Sequence, residues 1–308
     1  LYSLTSTQPL KRNEILTLLN RADEFLEHDH IPILQGTVAI LFFEPSTRTN
    51  LSFQMSAQRL GLKVLNFSID NSSFLKGETL QDTLENLASM GVNVAIIRAK
   101  GDWPAMVDMT SLPIRLINAG SGIYEHPTQA LLDALTIRQE FHDFTDLKVT
   151  IVGDILHSRV ARSNLDILTK LGAKVRFAGP PEFFSKEVER LACRVDFDEA
   201  LADTDVVMML RIQHERHQEK LAMSKEEYHR KYGLTRERAA RLKNTAIIMH
   251  PGPVNRDVEI ASEVLHHPQS RILKQVRNGV AVRMALLEKC LRKEEQYEEL
   301  VSATWACI

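Results

Sequence analysis

TVAILFFEPSTRT, residues 37–49, runs apolar from Thr37 to Phe43, breaks at Glu44 and Pro45, and then presents Ser46, Thr47, Arg48 and Thr49 in one burst. The first half reads as a buried β-strand, because a short apolar run rich in branched and aromatic residues fits a strand covered on both faces. Pro45 suits a turn from sheet into helix and Ser46 can cap. Leu51, Met55 and Leu60 then mark the apolar face of a helix running to Gly61. Free N–H groups at that helix start point where the Ser46, Thr47 and Thr49 hydroxyls and the Arg48 guanidinium converge, an arrangement suited to phosphate. Taken alone, the stretch also fits a capped helix beside a surface arginine.

The same strand-then-helix rhythm recurs along the chain. TVAILFF, KVLNFSI, VAIIRA and IRLINA form one set of four strands, and KVTIVGD, KVRFAG, VVMMLR and TAIIMH a second. Between them, Leu80, Leu84, Leu87 and Ala88, and likewise Ala161, Leu165 and Leu168, follow helical spacing, with Gly91 and Gly172 at the expected stops. Alternating strands and helices predict an α/β chain of two doubly wound parallel-sheet domains. The polar stretch RQEFHDFTD, residues 138–146, marks the short linker. The expected domains are residues 1–140 and 141–284, with a C-terminal helix, 285–308, packing back on the first. An early helix carrying Ile15, Leu18, Leu19 and Ala22 and a late one carrying Val280, Met284, Leu287 and Leu291 are expected to pack together.

Composition bounds the function. A chain of 308 residues, 44% hydrophobic and 25% charged, can bury two cores. Its net charge of -2 offers no basic field for nucleic acid and no polybasic membrane patch, so a small-molecule ligand is expected. Cys193, Cys290 and Cys307 are scattered, which indicates neither a disulfide framework nor a zinc site and fits a reducing cytoplasm. No apolar run is long enough to span a bilayer, and no signal-peptide layout is seen at the start. The stretch from His214 to Arg230 reads as a long loop.

In open parallel sheets ligands bind beyond the carboxyl ends of the strands, and here those loops are unusually polar. Arg48, Lys76, Arg98, His126, Gln129, His157, Arg159, Arg211, Gln213 and His250 all follow strands, which suggests a polyanionic ligand between the domains. With no G-x-x-x-x-G-K-[ST] loop, and no G-x-G-x-x-G after TIVGD, neither ATP nor NAD is supported.

FFEPSTRT, KGETLQDT, HPTQALLD, GDILHSRVARS, LRIQHERH and HPGPVNRD, in this order, resemble the catalytic chains of the aspartate carbamoyltransferase family of pyrimidine biosynthesis. The resemblance covers nearly the whole chain. It implies transfer of the carbamoyl group of carbamoyl phosphate to the amine of L-aspartate, with no metal or organic cofactor. By the resemblance the first domain binds carbamoyl phosphate and the second aspartate. Ser46, Thr47, Arg48 and Thr49 match the phosphate loop, and Arg98, His126 and Gln129 the remaining carbamoyl phosphate contacts. Thr49, Arg98 and His126 fall about the carbonyl oxygen as oxyanion donors. The backbone around Pro251, Gly252 and Pro253, together with Gln129, takes the carbamoyl NH2. Whether Ser72 or Ser73 reaches the phosphate stays open, with Ser73 preferred by its distance from Lys76.

Arg159, Arg211 and Gln213 match the family's aspartate ligands, the arginines meeting carboxylates with a fork that lysine lacks. Lys76 lies in a loop that the family inserts into a neighbouring subunit's site, so the resemblance implies a homotrimer with shared sites. A regulatory chain or dihydroorotase is a further possible partner. Glu44 is expected as an interdomain clasp to Arg159 or Arg211. No side chain stands out as a general base, which leaves the departing phosphate to accept the amine proton. The nearest rival is an ornithine carbamoyltransferase, but that type carries HCLP where this chain has HPGP, and two arginines suit a dianionic amino acid better. A two-domain sensor that closes on a phosphorylated metabolite without turnover is the non-enzymatic alternative.

Overall fold

The computed structural model describes residues 2–28, 31–67, 77–212, 223–292 and 297. The chain divides into two units, residues 1–135 with 276–308, and residues 136–275. In unit 1, α1 (Arg12–Glu27) leads into β1 (Thr37–Phe42), α2 (Thr47–Arg59), β2 (Lys63–Phe67), α3 (Leu80–Ser89), β3 (Val94–Ala99), β4 (Arg115–Ser121) and the first part of α4 (Pro127–Phe141). The four strands form one parallel sheet in the order β2-β1-β3-β4. Val38, Ala39, Ile40 and Leu41 of β1 are all buried, because a parallel sheet covered on both faces needs apolar side chains in both directions. Beyond β4, Leu4 pairs with the outer edge of the sheet: its N–H donates to Leu116 O at 2.9 Å, and its carbonyl accepts from Asn118 N at 2.8 Å.

Unit 2 runs through β5 (Lys148–Val152), α5 (Arg159–Leu171), β6 (Lys174–Ala178), α6 (Lys186–Leu191), β7 (Cys193–Arg194), α7 (Phe197–Ala200), β8 (Val206–Met209), α8 (Lys225–Tyr232), α9 (Arg236–Ala239) and β9 (Ile247–Met249). Its parallel sheet has the order β7-β6-β5-β8-β9. The chain then enters α10 (Ile272–Leu291), whose residues from Val276 onward belong to unit 1. There α10 packs on α1: Glu288 accepts from Arg21 Nε at 2.6 Å, and Lys289 Nζ stands 3.7 Å from Glu14. The two doubly wound α/β units and the returning helix are as the sequence predicts. The described part of that helix ends near Leu291. Among the described residues no helix is long and apolar enough to cross a membrane.

Several local expectations are corrected. Sheet two has five strands rather than four, since β7 is a two-residue exposed edge with no apolar run to announce it. On α2, Leu51 and Met55 are 57% and 45% exposed, and the inward face is Thr49, Phe53, Ser56 and Ala57. Ser56 can be buried because its hydroxyl donates to the carbonyls of Ser52 and Val280. Ser46 stands at the N-cap position, but its side chain makes no capping hydrogen bond. Of the expected loop from His214 to Arg230, residues 214–222 lie outside the described residues, while Lys225 to Arg230 belong to α8. Ser224 accepts from Glu227 N to cap that helix, acidic residues fill its first turn and basic ones its last, and Tyr228 anchors it as a fully buried side chain. The polar stretch at residues 138–146 is the end of α4 and the turn after it, where His142 and Asp146 have φ of 64° and 62°.

Candidate active site

In both sheets the chain winds outward on one side of its first strand and then crosses to the other. The order reverses between β1 and β3 in unit 1, and between β5 and β8 in unit 2. At such a switch point the loops leaving the two strands run in opposite directions and open a crevice at their carboxyl ends. Of the residues singled out from the sequence, Arg48 and Arg98 follow or end β1 and β3, and His157, Arg159 and Arg211 follow β5 and β8, while His126 and Gln129 come after the outer strand β4 and His250 after β9.

In unit 1, β1 ends at Phe42, which lies opposite Arg98, the residue before the end of β3. Phe43 N–H donates to Arg98 O at 2.8 Å, bringing the next residue, Glu44, beside the Arg98 side chain. The Glu44 carboxylate is 3.8 Å from Arg98 Nε, and Arg98 Nη1 donates to Ala119 O of β4 at 3.2 Å. The guanidinium therefore stands between Ala119 O of β4 and the Glu44 carboxylate of the loop after β1. Next to it begins α2, with Thr49 buried in its first turn and Thr47 and Arg48 exposed. The first N–H groups of a helix have no partner within the helix, and the macrodipole makes that end favourable for an anion.

On the other side of β3, β4 leads into a tight turn in which Ser121 N–H donates to Glu125 O. Glu125 is fixed in turn by Ser6 Oγ and Thr7 N, each donating at 2.6 Å. This places His126, only 5% exposed, at the head of α4, where its carbonyl accepts from Gln129 N and Ala130 N. Gln129 is buried one turn in, its Nε2 donating to Asp133 Oδ1 at 2.9 Å. The loops after β1 and β4 and the end of β3 thus set hydroxyl, guanidinium, imidazole and amide groups at the ends of three adjacent strands.

In unit 2, Gly153 follows β5 with a φ of 137°, and a Cβ there would stand 3.0 Å from Leu210 Cβ, so the two switch-point loops leave in close contact. Asp154 is buried and accepts from His157 N, with His157 Nδ1 3.0 Å from its Oδ1. Ser158 caps α5 by accepting from Ala161 N, which makes Arg159 the first helical residue. Across the switch point, Leu210 N–H donates to Val152 O, and Arg211 follows immediately. The next residue is pinned: Ile212 N–H donates to Glu259 Oε1 at 2.7 Å, and Asn255 Nδ2 donates both to Ile212 O and to Glu259. Burial pushes the Glu259 carboxyl above its ordinary pKa, against the N–H groups of Ile212 and Asn255 that favour its charge. After β9, Gly252 N–H donates to His250 Nδ1 at 2.8 Å, and Gly252 has a φ of 68°, a conformation for which glycine is suited. The bond from Gly252 to Pro253 is cis.

Ser72, Ser73, Lys76 and Gln213 lie outside the described residues. Glu44, expected as a clasp to Arg159 or Arg211, has Arg98 beside it within unit 1. Asp133, Asp154 and Glu259 were not singled out from the sequence, although each holds a predicted site residue or its immediate neighbour. Gln129 and Asp133 carry a local signal, the helical i,i+4 spacing. The contact of Glu259 with Ile212 spans 47 residues and has none. Among the described residues no group of three or more His, Cys, Asp or Glu side chains is placed to hold a metal ion.

Two parallel α/β units, one with Thr49 and Arg98 at the ends of its switch-point strands and the other with Arg159 and Arg211 following its own, have the arrangement of a protein built to hold small anions. The family pattern described as the carbamoyl-P binding domain of aspartate/ornithine carbamoyltransferase matches residues 3–139, and its Asp/Orn binding domain matches residues 145–290. The chain is 46% identical to the aspartate carbamoyltransferase catalytic subunit of Streptococcus mutans over 94% of its own length and 95% of the relative's. It is 47% identical to that of Listeria innocua, over 95% and 97%. A crystal structure of aspartate transcarbamoylase from Trypanosoma cruzi, in complex with carbamoyl aspartate and phosphate, is similar at a TM-score of 0.83 with 31% identity, covering 92% of this chain and 94% of that one. The chain belongs to the aspartate/ornithine carbamoyltransferase family.

Proposed function

We propose that this chain transfers the carbamoyl group of carbamoyl phosphate to the amine of L-aspartate, giving N-carbamoyl-L-aspartate and phosphate, the step that serves pyrimidine biosynthesis in the cytoplasm. One observation supports the reading: Thr49 and Arg98 lie at the ends of β1 and β3, and Arg159 and Arg211 follow β5 and β8, the strand pairs at which the order of each sheet reverses and where parallel α/β folds bind ligands. The near full-length identity to catalytic subunits of that name supports the aspartate branch.

Ser46, Thr47, Arg48 and Thr49 hold the phosphate at the start of α2, with Ser73 and Lys76 completing that site. Thr49, Arg98 and His126 donate to the carbonyl oxygen as negative charge grows on it. Gln129 and the backbone of Pro251, Gly252 and Pro253 take the carbamoyl NH2. Arg159, Arg211 and Gln213 bind aspartate. The amine nitrogen attacks the carbonyl carbon, and the C–O bond to phosphorus breaks with its electron pair on the phosphate. The departing phosphate takes the amine proton. Positioning and charge do the chemistry, and losing one oxyanion donor costs on the order of 3 kcal/mol in the barrier. The chains act as homotrimers in which Lys76 serves a neighbouring copy, and a regulatory chain or dihydroorotase is a candidate associate.

The discriminating experiment measures carbamoylation of aspartate against ornithine by the purified chain. Aspartate is expected as the substrate with stoichiometric phosphate release. Turnover of ornithine alone, or no phosphate release with both substrates present, would overturn the assignment. Sedimentation with and without a bisubstrate analogue tests the trimer.

A further inference from the structure

Gln129 has two ends with opposite chemistry, an acceptor oxygen and a donor NH2, and only the oxygen can take the N–H of a carbamoyl group. Which end faces outward is decided one turn along α4. Asp133 is fully buried, and a carboxylate can only accept, so its bond with Gln129 Nε2 at 2.9 Å turns the amide oxygen the other way. The acid itself has a nearby cation. Arg283 of α10 is buried, and the charge of Asp133 supports its protonated form against the burial that pulls the guanidinium down to about 10. Arg283 Nη1 also donates to Ser52 Oγ at 2.8 Å, and its guanidinium lies 4.9 Å from the centre of the Phe53 ring, so it bears on α2 as well. Room for it comes from Gly279, where a Cβ would stand 2.5 Å from Arg283 Nη1 and 3.2 Å from Leu132 Cδ2.

From the Gln129–Asp133 geometry we infer that Asp133 is a positioning residue: its carboxylate fixes the Gln129 amide with the oxygen presented to the carbamoyl NH2. The inference rests on the assignment of Gln129 as a ligand of that group. Arg283, whose charge Asp133 supports, also bonds to Ser52 and lies over Phe53 of α2, the helix that starts at the phosphate loop.

The test uses the full chain and the substitution Asp133→Asn, which keeps the volume but brings an NH2 of its own and lets the Gln129 amide turn over. The kcat/KM for carbamoyl phosphate is expected to fall roughly tenfold, equivalent to about 1.4 kcal/mol. Inorganic phosphate has no NH2 to be read, so its Kd should stay within about twofold of the parent value. In a Gln129→Ala background the same substitution should change kcat/KM by less than about twofold, because the residue through which it acts is gone. An unchanged kcat/KM, equal losses for both anions, or the full loss in both backgrounds would each overturn the inference. If Asp133→Asn does not fold, Asp133→Ser carries the same comparisons. A parent chain that binds phosphate yet leaves aspartate uncarbamoylated would overturn the functional assignment instead, and that result appears before any substitution is made.

Discussion

Replacing Glu259 with glutamine changes one atom type and leaves the shape intact. The carboxylate accepts from Ile212 N at 2.7 Å and Asn255 Nδ2 at 2.8 Å on one oxygen, and from Asn255 N at 2.8 Å on the other. In Glu259→Gln the amide oxygen can keep the first pair, but the NH2 then faces the Asn255 N–H donor to donor. Losing one buried hydrogen bond and weakening two charge-assisted ones costs about 3 kcal/mol. Removing a buried charge returns part of this, because burial already works against ionisation at this carboxyl. A net loss of about 2 kcal/mol corresponds to a fall in Tm of about 4–8 °C for a domain of this size. Scanning calorimetry measures it. The kinetic signature is equally specific: Ile212 follows Arg211, so the KM for aspartate should rise several-fold while that for carbamoyl phosphate holds. A Tm within about 1 °C of the parent with unchanged aspartate KM would refute the reasoning.

Three further outcomes are expected. Arg98→Ala should lower kcat on the order of a hundredfold while weakening phosphate-analogue affinity far less, since its assigned partner is charge that develops in the transition state; steady-state kinetics with a phosphonate inhibitor checks the split. Gly179→Ala should destabilise by roughly 3 kcal/mol in urea unfolding, through positive-φ strain and overpacking; φ is 148° and a Cβ there would lie 2.5 Å from Gly153 O, at the root of the loop carrying Asp154 and Arg159. Asp198 is held below its ordinary pKa by hydrogen bonds from Arg238 and Arg241. The folded state therefore binds fewer protons than the unfolded one, so this contribution is present above the ordinary carboxylate range and is lost as pH falls from about 5 towards 3. An acid titration followed by circular dichroism should show a shallower slope for Asp198→Asn.

The inner strands of both sheets were legible because a strand buried on two faces must be apolar throughout, and β1 shows that pattern from Val38 to Leu41, whereas the edge strand β2 is largely exposed. Legibility failed where burial is partial or borrowed. The exposed pair Cys193 and Arg194 forms a strand only because β6 offers it a partner. The inward face of α2 includes serine and threonine, and Ser56 is satisfied by a carbonyl of α10 more than 200 residues later, which no local pattern reveals. The α8 helix is polar along most of its length and is held by Tyr228 alone among its residues as a buried anchor. The residues proposed for the site were readable as polar groups following apolar runs. The groups that orient them were not: the Ile212 to Glu259 contact is made only once the sheet of unit 2 is assembled.

Ser3 to Thr5 cover the outer margin of the first sheet. Leu116 N–H finds the Ser3 hydroxyl, Asn118 N–H finds Leu4 O, and the Asn118 amide reaches Thr5 O. An outermost strand left bare is an invitation to any other extended peptide, and here three short residues close it from within the same molecule. Trimming them would strip the seal while leaving every residue assigned to substrate in place, so such a shortened chain would be betrayed by clumping at high concentration rather than by slower turnover.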